Sequence, residues 1–257
     1  MRATLLSLLA GLVLSESVTA AQVFHSRSDS YAIELFTSEG CSSCPPAERW
    51  LGSYRDHPEL WQTYFPIAWH VDYWDYLGWK DDFAESRHAN RQRRYAKNDQ
   101  FTGVYTPGVI VNGQEYRGWR RGSEVSQSIK QLPQSPLLKM NVAQRHITLS
   151  LTAAENLQIP DVKATVLVLG FDVRSNVTRG ENRGKRFSHD FVVLHSQSKP
   201  IENTVDEVSK EQNSVSTFTI NHEKFKQRYK TNSLAIVAFV ETPSSPTPIA
   251  IAGGWLE

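Results

Sequence analysis

The two cysteines of this 257-residue chain, Cys41 and Cys44, constrain its fold and its chemistry more than any other feature. They are spaced C-x-x-C between an apolar run at residues 31–36, which predicts a strand, and a run that begins with Pro45 and Pro46 and predicts a helix. Proline is tolerated in the first turn of a helix, because the N–H groups there have no helical partner. The spacing therefore predicts two thiols one helical turn apart at a helix N-terminus, where a thiolate is stabilised.

Residues 1–20 have the pattern of a cleaved export signal. Arg2 precedes an apolar segment at residues 5–14, and the small-residue pattern Val18-Thr19-Ala20 follows it. The mature chain is therefore predicted to begin near Ala21, in the periplasm or outside the cell. The alternative is an uncleaved N-terminal anchor, although the apolar segment is short for a bilayer span. No stable membrane span is expected after cleavage of the signal, because no later apolar run is long enough.

The overall charge gives no reason to expect nucleic acid or an anionic membrane as a partner. Lys and Arg total 28 and Asp and Glu total 27, which gives a formal net charge of +1. Basic residues cluster within residues 81–97, where the order of charges complements a helix dipole. We therefore predict a solvent-facing helix there.

Export to an oxidising compartment changes the role that is expected for a single pair of cysteines. In an oxidising compartment, two cysteines commonly form a structural disulfide. A C-x-x-C disulfide closes a short loop, however, and it restricts the unfolded chain less than a long-loop bridge does. We therefore interpret Cys41 and Cys44 as a redox-active disulfide.

Two further residues of the first half are candidates for the site. Glu34 lies in the first predicted strand, where a carboxylate is costly to ionise unless it is paired or has a raised pKa. It is either a proton acceptor behind the thiols or a salt-bridged residue. Trp74 follows the second predicted strand, at residues 65–71, and is either part of a peptide-binding platform or ordinary packing. His70, just before Trp74, is predicted to be a structural histidine.

The second half of the chain has a strand pattern. Asn112-Gly113 predicts a hairpin, and Pro107 just before it is a candidate for a cis bond. Beyond a predicted linker at residues 133–136, runs of strand length lie at residues 138–142, 147–151, 164–171, 191–195, 216–220, 234–240 and 249–252. The absence of convincing intervening helices predicts an all-β, sandwich-like arrangement. The Gly-rich, basic loop at residues 176–190 is a solvated hairpin end, a segment that grips an anion, or a segment that leans over the site.

The order of predicted elements in the first half, with the C-x-x-C at a helix start, resembles that of the thioredoxin superfamily. More closely, the chain resembles an uncharacterised secreted bacterial family, a domain of unknown function with a thioredoxin-like N-terminal part. The motifs that carry this resemblance are ELFTSEGCSSCPPAE, HVDYWDYLGW, RQRRYA, VYTPGVIVNG and RGENRGKR. The expected fold is therefore an α/β thioredoxin-like N-terminal domain, residues 31–132, after a lead-in at residues 21–30. The linker at residues 133–136 joins it to an all-β, sandwich-like C-terminal domain, residues 137–257.

The resemblance also implies roles for single residues. Cys41 matches the attacking thiol, and Cys44 matches the resolving thiol. Thr106 and Pro107 match the residue and the cis-proline that bind the substrate backbone. Glu34 resembles the buried acid behind the motif, although the intervening turn is one residue longer here.

The predicted function is a periplasmic or secreted thiol–disulfide oxidoreductase that acts on protein thiols or disulfides of the cell envelope, with no cofactor and no metal. Both directions of electron flow are open, as is the oligomeric state. One alternative is a soft-metal module, in which Cys41 and Cys44, either alone or together with His70, hold an ion such as Cu(I). A second alternative is a non-catalytic envelope interaction protein on a thioredoxin-like scaffold.

Overall fold

The computed structural model describes residues 21–98, 100–125, 129–133, 136–153, 161–205 and 212–257. The predicted export signal at residues 1–20 lies outside the described residues, as do the central residues 134–135 of the predicted linker. The described ranges contain fifteen β-strands and three α-helices.

Two of the three α-helices of the described residues lie in the first half of the chain, each between two strands. That half contains β1 (Gln22–His25), β2 (Tyr31–Thr37), α1 (Pro45–Gly52), β3 (Tyr64–His70), α2 (Ser86–Lys97), β4 (Gly108–Val111) and β5 (Gln114–Glu115). The second half contains β6 (Leu137–Ala143), β7 (His146–Thr152), β8 (Lys163–Gly170), β9 (Val173–Asn176), β10 (Arg186–His189), β11 (Val192–Pro200), β12 (Glu202–Val205), β13 (Gln212–Thr219), α3 (Glu223–Tyr229), β14 (Leu234–Glu241) and β15 (Pro248–Trp255). Short 3-10 helices lie at Ser53–Asp56, Asp72–Leu77 and Gly118–Arg121.

An eight-stranded mixed sheet contains strands from both halves of the chain, in the order β15-β14-β8-β11-β3-β2-β4-β5. Strand β3 pairs in parallel with β2 on one side and with β11 on the other, where Ala68 is opposite Val192. The predicted fold class, an α/β thioredoxin-like N-terminal domain beside an all-β sandwich-like domain, is therefore wrong. The described chain is mostly β, and one large mixed sheet runs through both predicted parts. The position of a domain boundary at residues 133–136 stays a prediction.

The second pairing partner of β3 is the physical reason for this difference. Every residue of β3 after Tyr64 is buried, as is usual for an interior strand with neighbours on both sides. The apolar sequence of β3 indicates that it is buried, but it does not identify β11 as the distant strand that pairs with it. The α-helices are short, with 8, 12 and 7 residues. Among the described residues, no helix combines the length and the apolar character needed to cross a membrane.

A five-stranded antiparallel sheet, in the order β1-β6-β7-β13-β12, adds a second layer. Buried and exposed residues alternate along β6 and β7, which confirms the predicted strands at residues 138–142 and 147–151. The buried side chains of these strands share a core with Val166 and Val168 of β8, whereas Leu167 and Leu169 face a core that contains Ala47 of α1. The eight-stranded sheet therefore has a hydrophobic core on each face at β8.

Helix α2 is not the solvent-facing helix predicted at residues 81–97. Arg91 is only 8% exposed, and its guanidinium donates hydrogen bonds to the carboxylates of Glu34 and Glu241. Arg94 and Lys163 also form ion pairs with Glu241. Burial raises the pKa of Glu241, but Arg91 and the other bases outweigh burial and hold that pKa below its usual value. One face of α2 is therefore part of the core.

Candidate functional site

The two cysteines form a disulfide at the start of helix α1. Cys44 is the N-cap residue, and Pro45 and Pro46 occupy the first turn, as predicted. The Cys44 N–H donates to the Cys41 carbonyl oxygen at 3.3 Å, and the Glu48 N–H donates to the Cys44 carbonyl oxygen at 3.2 Å. The disulfide therefore lies at the positive end of the helix dipole.

The disulfide lies just beneath the protein surface. Cys41 and Cys44 are fully buried, whereas Ser42 and Ser43 between them are exposed. The Ser43 hydroxyl oxygen lies 3.4 Å from Cys41 Sγ. A hydrogen bond donated by this hydroxyl would stabilise a Cys41 thiolate. This contact favours Cys41 as the attacking thiol.

The residues predicted to bind substrate form a connected group beside this turn. The Thr106-Pro107 peptide bond is cis. Trp74 Nε1 donates a hydrogen bond to Thr106 Oγ1 at 2.7 Å. Trp74 also packs against Gly40, because a Cβ placed on Gly40 would lie only 2.9 Å from Trp74 Cβ. Trp74 therefore connects Thr106 to the turn that precedes Cys41.

Glu34 faces α2 rather than α1. Its carboxylate accepts hydrogen bonds from Arg91 and Tyr95. Side chains alternate along a strand, so Thr37, three residues on, faces the opposite side of β2. There the Thr37 hydroxyl donates to Glu48 of α1 at 2.6 Å. The geometry gives Glu34 the salt-bridged role, and its role as a proton acceptor for the thiols stays a prediction.

On the α1 side of β2, His189 lies between two carboxylates. Its Nδ1 is 3.0 Å from Glu48 Oε2, and its Nε2 is 2.9 Å from Glu39 Oε1. Burial opposes the charged imidazolium, but Glu48 and Glu39 outweigh burial and raise the pKa of His189 to about 10. His189 in turn outweighs the burial of Glu48 and holds its pKa below the usual value. A buried charged group of three side chains therefore lies one helical turn from Cys44.

His70, at the end of β3, belongs to the same cluster. Its Nδ1 is 2.7 Å from Asp81 Oδ2, and its ring centroid is 4.9 Å from that of His189. The other ring nitrogen, Nε2, is buried and has no hydrogen-bond partner among the described residues. Asp81 Oδ2 also accepts a hydrogen bond from the Glu39 N–H at 2.9 Å. The His189 and His70 groups are therefore connected through Glu39 and Asp81.

Most of this cluster was not among the predicted site residues. The missed residues are Glu39, Glu48, Asp81 and His189. One signal was available, because Thr37 and His70 end two parallel strands that pair with each other. The carboxyl ends of parallel strands meet at one edge of a sheet, so polar residues at these ends are expected to lie close together.

The hairpin formed by β9 and β10 covers the disulfide. Asn182 in its loop is fully buried, and its Nδ2 donates to the carbonyl oxygens of Glu39 at 2.8 Å and Cys41 at 3.0 Å. Glu181 Oε2 accepts a hydrogen bond from the Ser42 N–H at 3.0 Å. The loop at residues 176–190 therefore leans over the site, which is one of its three predicted arrangements. Because both cysteines are buried, a protein thiol reaches them only when part of this cover moves.

Replacing Asn182 with alanine is expected to make the disulfide easier to reduce. The variant loses two hydrogen bonds that hold the cover, worth roughly 1–3 kcal/mol together. We therefore expect reduction by dithiothreitol to be roughly tenfold faster, as measured by thiol alkylation and mass spectrometry. Arg183→Ala changes an exposed neighbour in the same loop, and we expect it to keep the wild-type rate. Equal rates in the Asn182 variant and the wild type, with unchanged circular dichroism, would show that the hairpin does not control access.

Comparisons with known proteins agree with the predicted resemblance to a domain of unknown function. A family model described as "Protein of unknown function (DUF1223)" matches residues 32–241. The crystal structure of protein AGR_C_4864 from Agrobacterium tumefaciens is similar, with 24% identity, a TM-score of 0.55, and coverage of 88% of this chain and 93% of that chain. HBP35 of Porphyromonas gingivalis is similar with 14% identity, a TM-score of 0.57, and coverage of 88% and 74%. A search of the curated proteins found no match. At these identities, the similarity to solved structures concerns the fold alone.

Proposed function

Because this chain belongs to the DUF1223 family, whose function is unknown, we propose its function from its own site: a thiol–disulfide oxidoreductase of the cell envelope. The observation that carries the proposal is the C-x-x-C disulfide at the N-terminus of α1, with the Ser43 hydroxyl beside Cys41 Sγ. A disulfide that closes so short a loop contributes little to stability. Its position at a helix N-terminus is instead the setting of reactive cysteines.

The proposed exchange proceeds by two thiolate attacks. In the oxidising direction, a substrate thiolate attacks Cys41 Sγ, the Cys41–Cys44 bond breaks, and Cys44 leaves as a thiolate. A second substrate thiolate then attacks the substrate sulfur of the mixed disulfide, and Cys41 leaves as a thiolate. The substrate loses two electrons and two protons, and the protein gains them as two thiols. The same steps in reverse reduce a substrate disulfide.

Two opposing electrostatic effects act on the Cys41 thiolate. The helix N-terminus and the Ser43 hydroxyl stabilise the thiolate, and comparable sites lower a cysteine pKa to about 3.5–7.5. Glu39 and Glu48 carry the same negative charge as the thiolate and therefore oppose its formation. Both carboxylates contact the His189 imidazole, however, which offsets their charge. Stronger net stabilisation of the thiolate favours the reduced protein and therefore an oxidising role. The reduction potential measures this balance.

The proposed substrates are proteins with exposed thiols or disulfides in the periplasm or outside the cell. Trp74 and Thr106 are partly exposed and offer an aromatic surface beside the turn that precedes Cys41, whereas Pro107, which follows Thr106 in the sequence, is buried. Such a surface suits an extended peptide segment. The export signal predicted at residues 1–20 supports the location, and a disulfide persists in such an oxidising compartment.

A single exchange assay tests the proposal. Oxidised protein, residues 21–257, is mixed under anaerobic conditions with a reduced peptide that contains two cysteines. We expect peptide disulfides and protein thiols to appear in equal amounts, as measured by alkylation and mass spectrometry, and the Cys41→Ser/Cys44→Ser variant to produce neither. Equilibration with glutathione gives the reduction potential and hence the direction. A disulfide that neither this peptide nor dithiothreitol reduces in the folded protein would refute the proposal in favour of the non-catalytic alternative.

A further inference from the structure

We propose that Glu48, His70 and His189 bind a divalent transition-metal cation. One donor atom from each residue lies within 4.8 Å of the other two. Two imidazoles and one carboxylate are a donor set found in zinc enzymes and in non-haem iron sites. The proposed site contains no cysteine, so it differs from the predicted copper alternative and does not depend on thiol exchange.

His70 has the hydrogen bonding of a metal ligand. Its Nδ1 contacts the Asp81 carboxylate, while its Nε2 is buried with no hydrogen-bond partner among the described residues. A buried polar nitrogen without a partner is costly. A histidine that binds a metal through one nitrogen almost always donates the other N–H to a carboxylate or a carbonyl group. Asp81 provides that carboxylate, which leaves Nε2 free for the cation.

His189 and Glu48 are also each held on one side by a hydrogen-bond partner outside the proposed ligand set. His189 Nε2 contacts the Glu39 carboxylate, and its Nδ1 faces Glu48 Oε2 at 3.0 Å. Glu48 Oε1 accepts a hydrogen bond from the Thr37 hydroxyl, so Oε2, which faces His189 Nδ1, is the oxygen that would bind the cation. Both imidazoles therefore contact an outer carboxylate through one nitrogen. The other nitrogen of His70 has no partner among the described residues, and that of His189 pairs with Glu48 Oε2, where a cation would replace the proton between them.

The local charge also favours a cation. Three carboxylates, those of Glu39, Glu48 and Asp81, converge on the two imidazoles. Ionised carboxylates are costly to bury without compensating positive charge. A divalent cation between Glu48 and the imidazoles would supply this charge in place of a proton, because metal binding releases protons from its ligands.

The site borders a cleft, which gives a ligand a route to the cation. The cleft has a volume of about 790 Å³, and Glu48, His70 and His189 line it together with Arg49 and Lys185. Three protein ligands leave one position of a tetrahedral zinc ion for water or another ligand. The basic side chains in the cleft favour an anion there. This arrangement is that of an open metal site, whereas a structural zinc site has four protein ligands.

Zinc titration tests the proposal. Tag-free protein with its disulfide intact is dialysed against a chelator and titrated with Zn²⁺ by isothermal calorimetry. We expect one Zn²⁺ per chain. We expect His70→Gln and Glu48→Gln to weaken Zn²⁺ binding by at least ~100-fold, because loss of an outer-shell partner alone typically costs 10–100-fold. His146→Gln, which changes an exposed histidine at the start of β7, is expected to bind as the wild type does.

Two further measurements keep the proposal falsifiable if a variant fails to fold. The Cys41→Ser/Cys44→Ser variant is expected to bind Zn²⁺ with unchanged affinity, because neither cysteine is a ligand. Wild-type protein loaded with Co²⁺ and then treated with a phosphine reductant, which adds no thiol of its own, is expected to lack the intense thiolate-to-cobalt absorption. The wild type binding no Zn²⁺ would overturn the proposal. Undiminished binding in both ligand variants, lost binding in the cysteine variant, or a thiolate band with Co²⁺ would overturn it too.

Discussion

The Cys44→Ser variant is expected to accumulate a mixed disulfide through Cys41. When the Cys41 thiolate attacks a disulfide-bonded peptide, one peptide sulfur becomes bonded to Cys41 and the other leaves as a thiolate. In the wild type, the Cys44 thiolate then attacks Cys41 Sγ and releases the peptide. A serine hydroxyl does not carry out this second attack at neutral pH, because it stays protonated. The adduct should therefore reach near-stoichiometric amounts in the variant and stay at trace level in the wild type.

Intact-mass spectrometry under non-reducing conditions measures this adduct directly. Cys41→Ser is the matched control, because it keeps one thiol in the same turn but removes the one beside the Ser43 hydroxyl. We expect little adduct in this control. Equal trapping at Cys44 in the control would show that the assignment of the attack to Cys41 is wrong. No adduct in either variant would contradict the proposed chemistry.

Replacing Arg91 with methionine is expected to lower the free energy of unfolding by about 3–5 kcal/mol, because removing one partner of a buried ion pair leaves uncompensated charge. Arg91 donates to the carboxylates of Glu34 and Glu241, and its guanidinium lies 4.6 Å from the centroid of the Phe239 ring. Methionine fills much of the same volume, so the effect should come mainly from the Glu34 carboxylate, since Glu241 keeps its ion pairs with Arg94 and Lys163. Urea unfolding followed by fluorescence measures the change.

Two variants show whether charge or packing causes this loss. Arg93→Met removes an exposed arginine of the same helix and should change the free energy of unfolding by less than about 0.5 kcal/mol. Adding Glu34→Gln to Arg91→Met should recover part of the loss, because Glu34 is then no longer a buried carboxylate without an ion-pair partner, and Glu241 keeps Arg94 and Lys163. A loss of less than about 1 kcal/mol in Arg91→Met would contradict the assigned role of this ion pair.

The sequence allowed prediction of those features that depend on neighbouring residues. Pro45 and Pro46 fixed the start of α1, and the structure has the helix there. Asn112 and Gly113 predicted a hairpin between β4 and β5, and both residues have positive φ, 46° and 82°, as a type I′ turn requires. The alternating residues of β6 and β7 also predicted their strands, because each strand buries one face only. Local backbone and patterning constraints decide all of these features.

The fold class could not be predicted because strand pairing between distant segments decides it. The apolar pattern of β3 indicates that both of its faces are buried. The same pattern does not show that β2 and β11 are its two neighbours in the sheet. The face of Glu34 posed a similar problem. Its ion-pair partner, Arg91, lies on a helix whose charge order favoured exposure. This arginine is buried because it also contacts Glu241 and Phe239 of the distant strand β14.

The buried cluster beside the disulfide could be predicted only in part. His70 and Thr37 end adjacent parallel strands, so a polar edge there follows from topology. His189, however, reaches this edge from β10, and its Nε2 contacts Glu39, which is 150 residues earlier in the chain. A lone histidine before an aspartate in a short strand carries no signal for that contact. Side chains that meet only through the folded hairpin therefore escaped prediction.

The pairing of β3 with β11 has a consequence for how the chain acquires its structure. Strands β2 and β3 are complete early in synthesis, but the partner at Val192 is made much later than Ala68. Closing so long a segment is entropically costly, and such non-local pairing slows folding. Until β11 emerges, one side of β3 presents unpaired N–H and carbonyl groups, which act as a template for pairing with another chain. A nascent or truncated chain that ends before β11 therefore exposes, at the centre of the future sheet, the kind of edge on which aggregation begins.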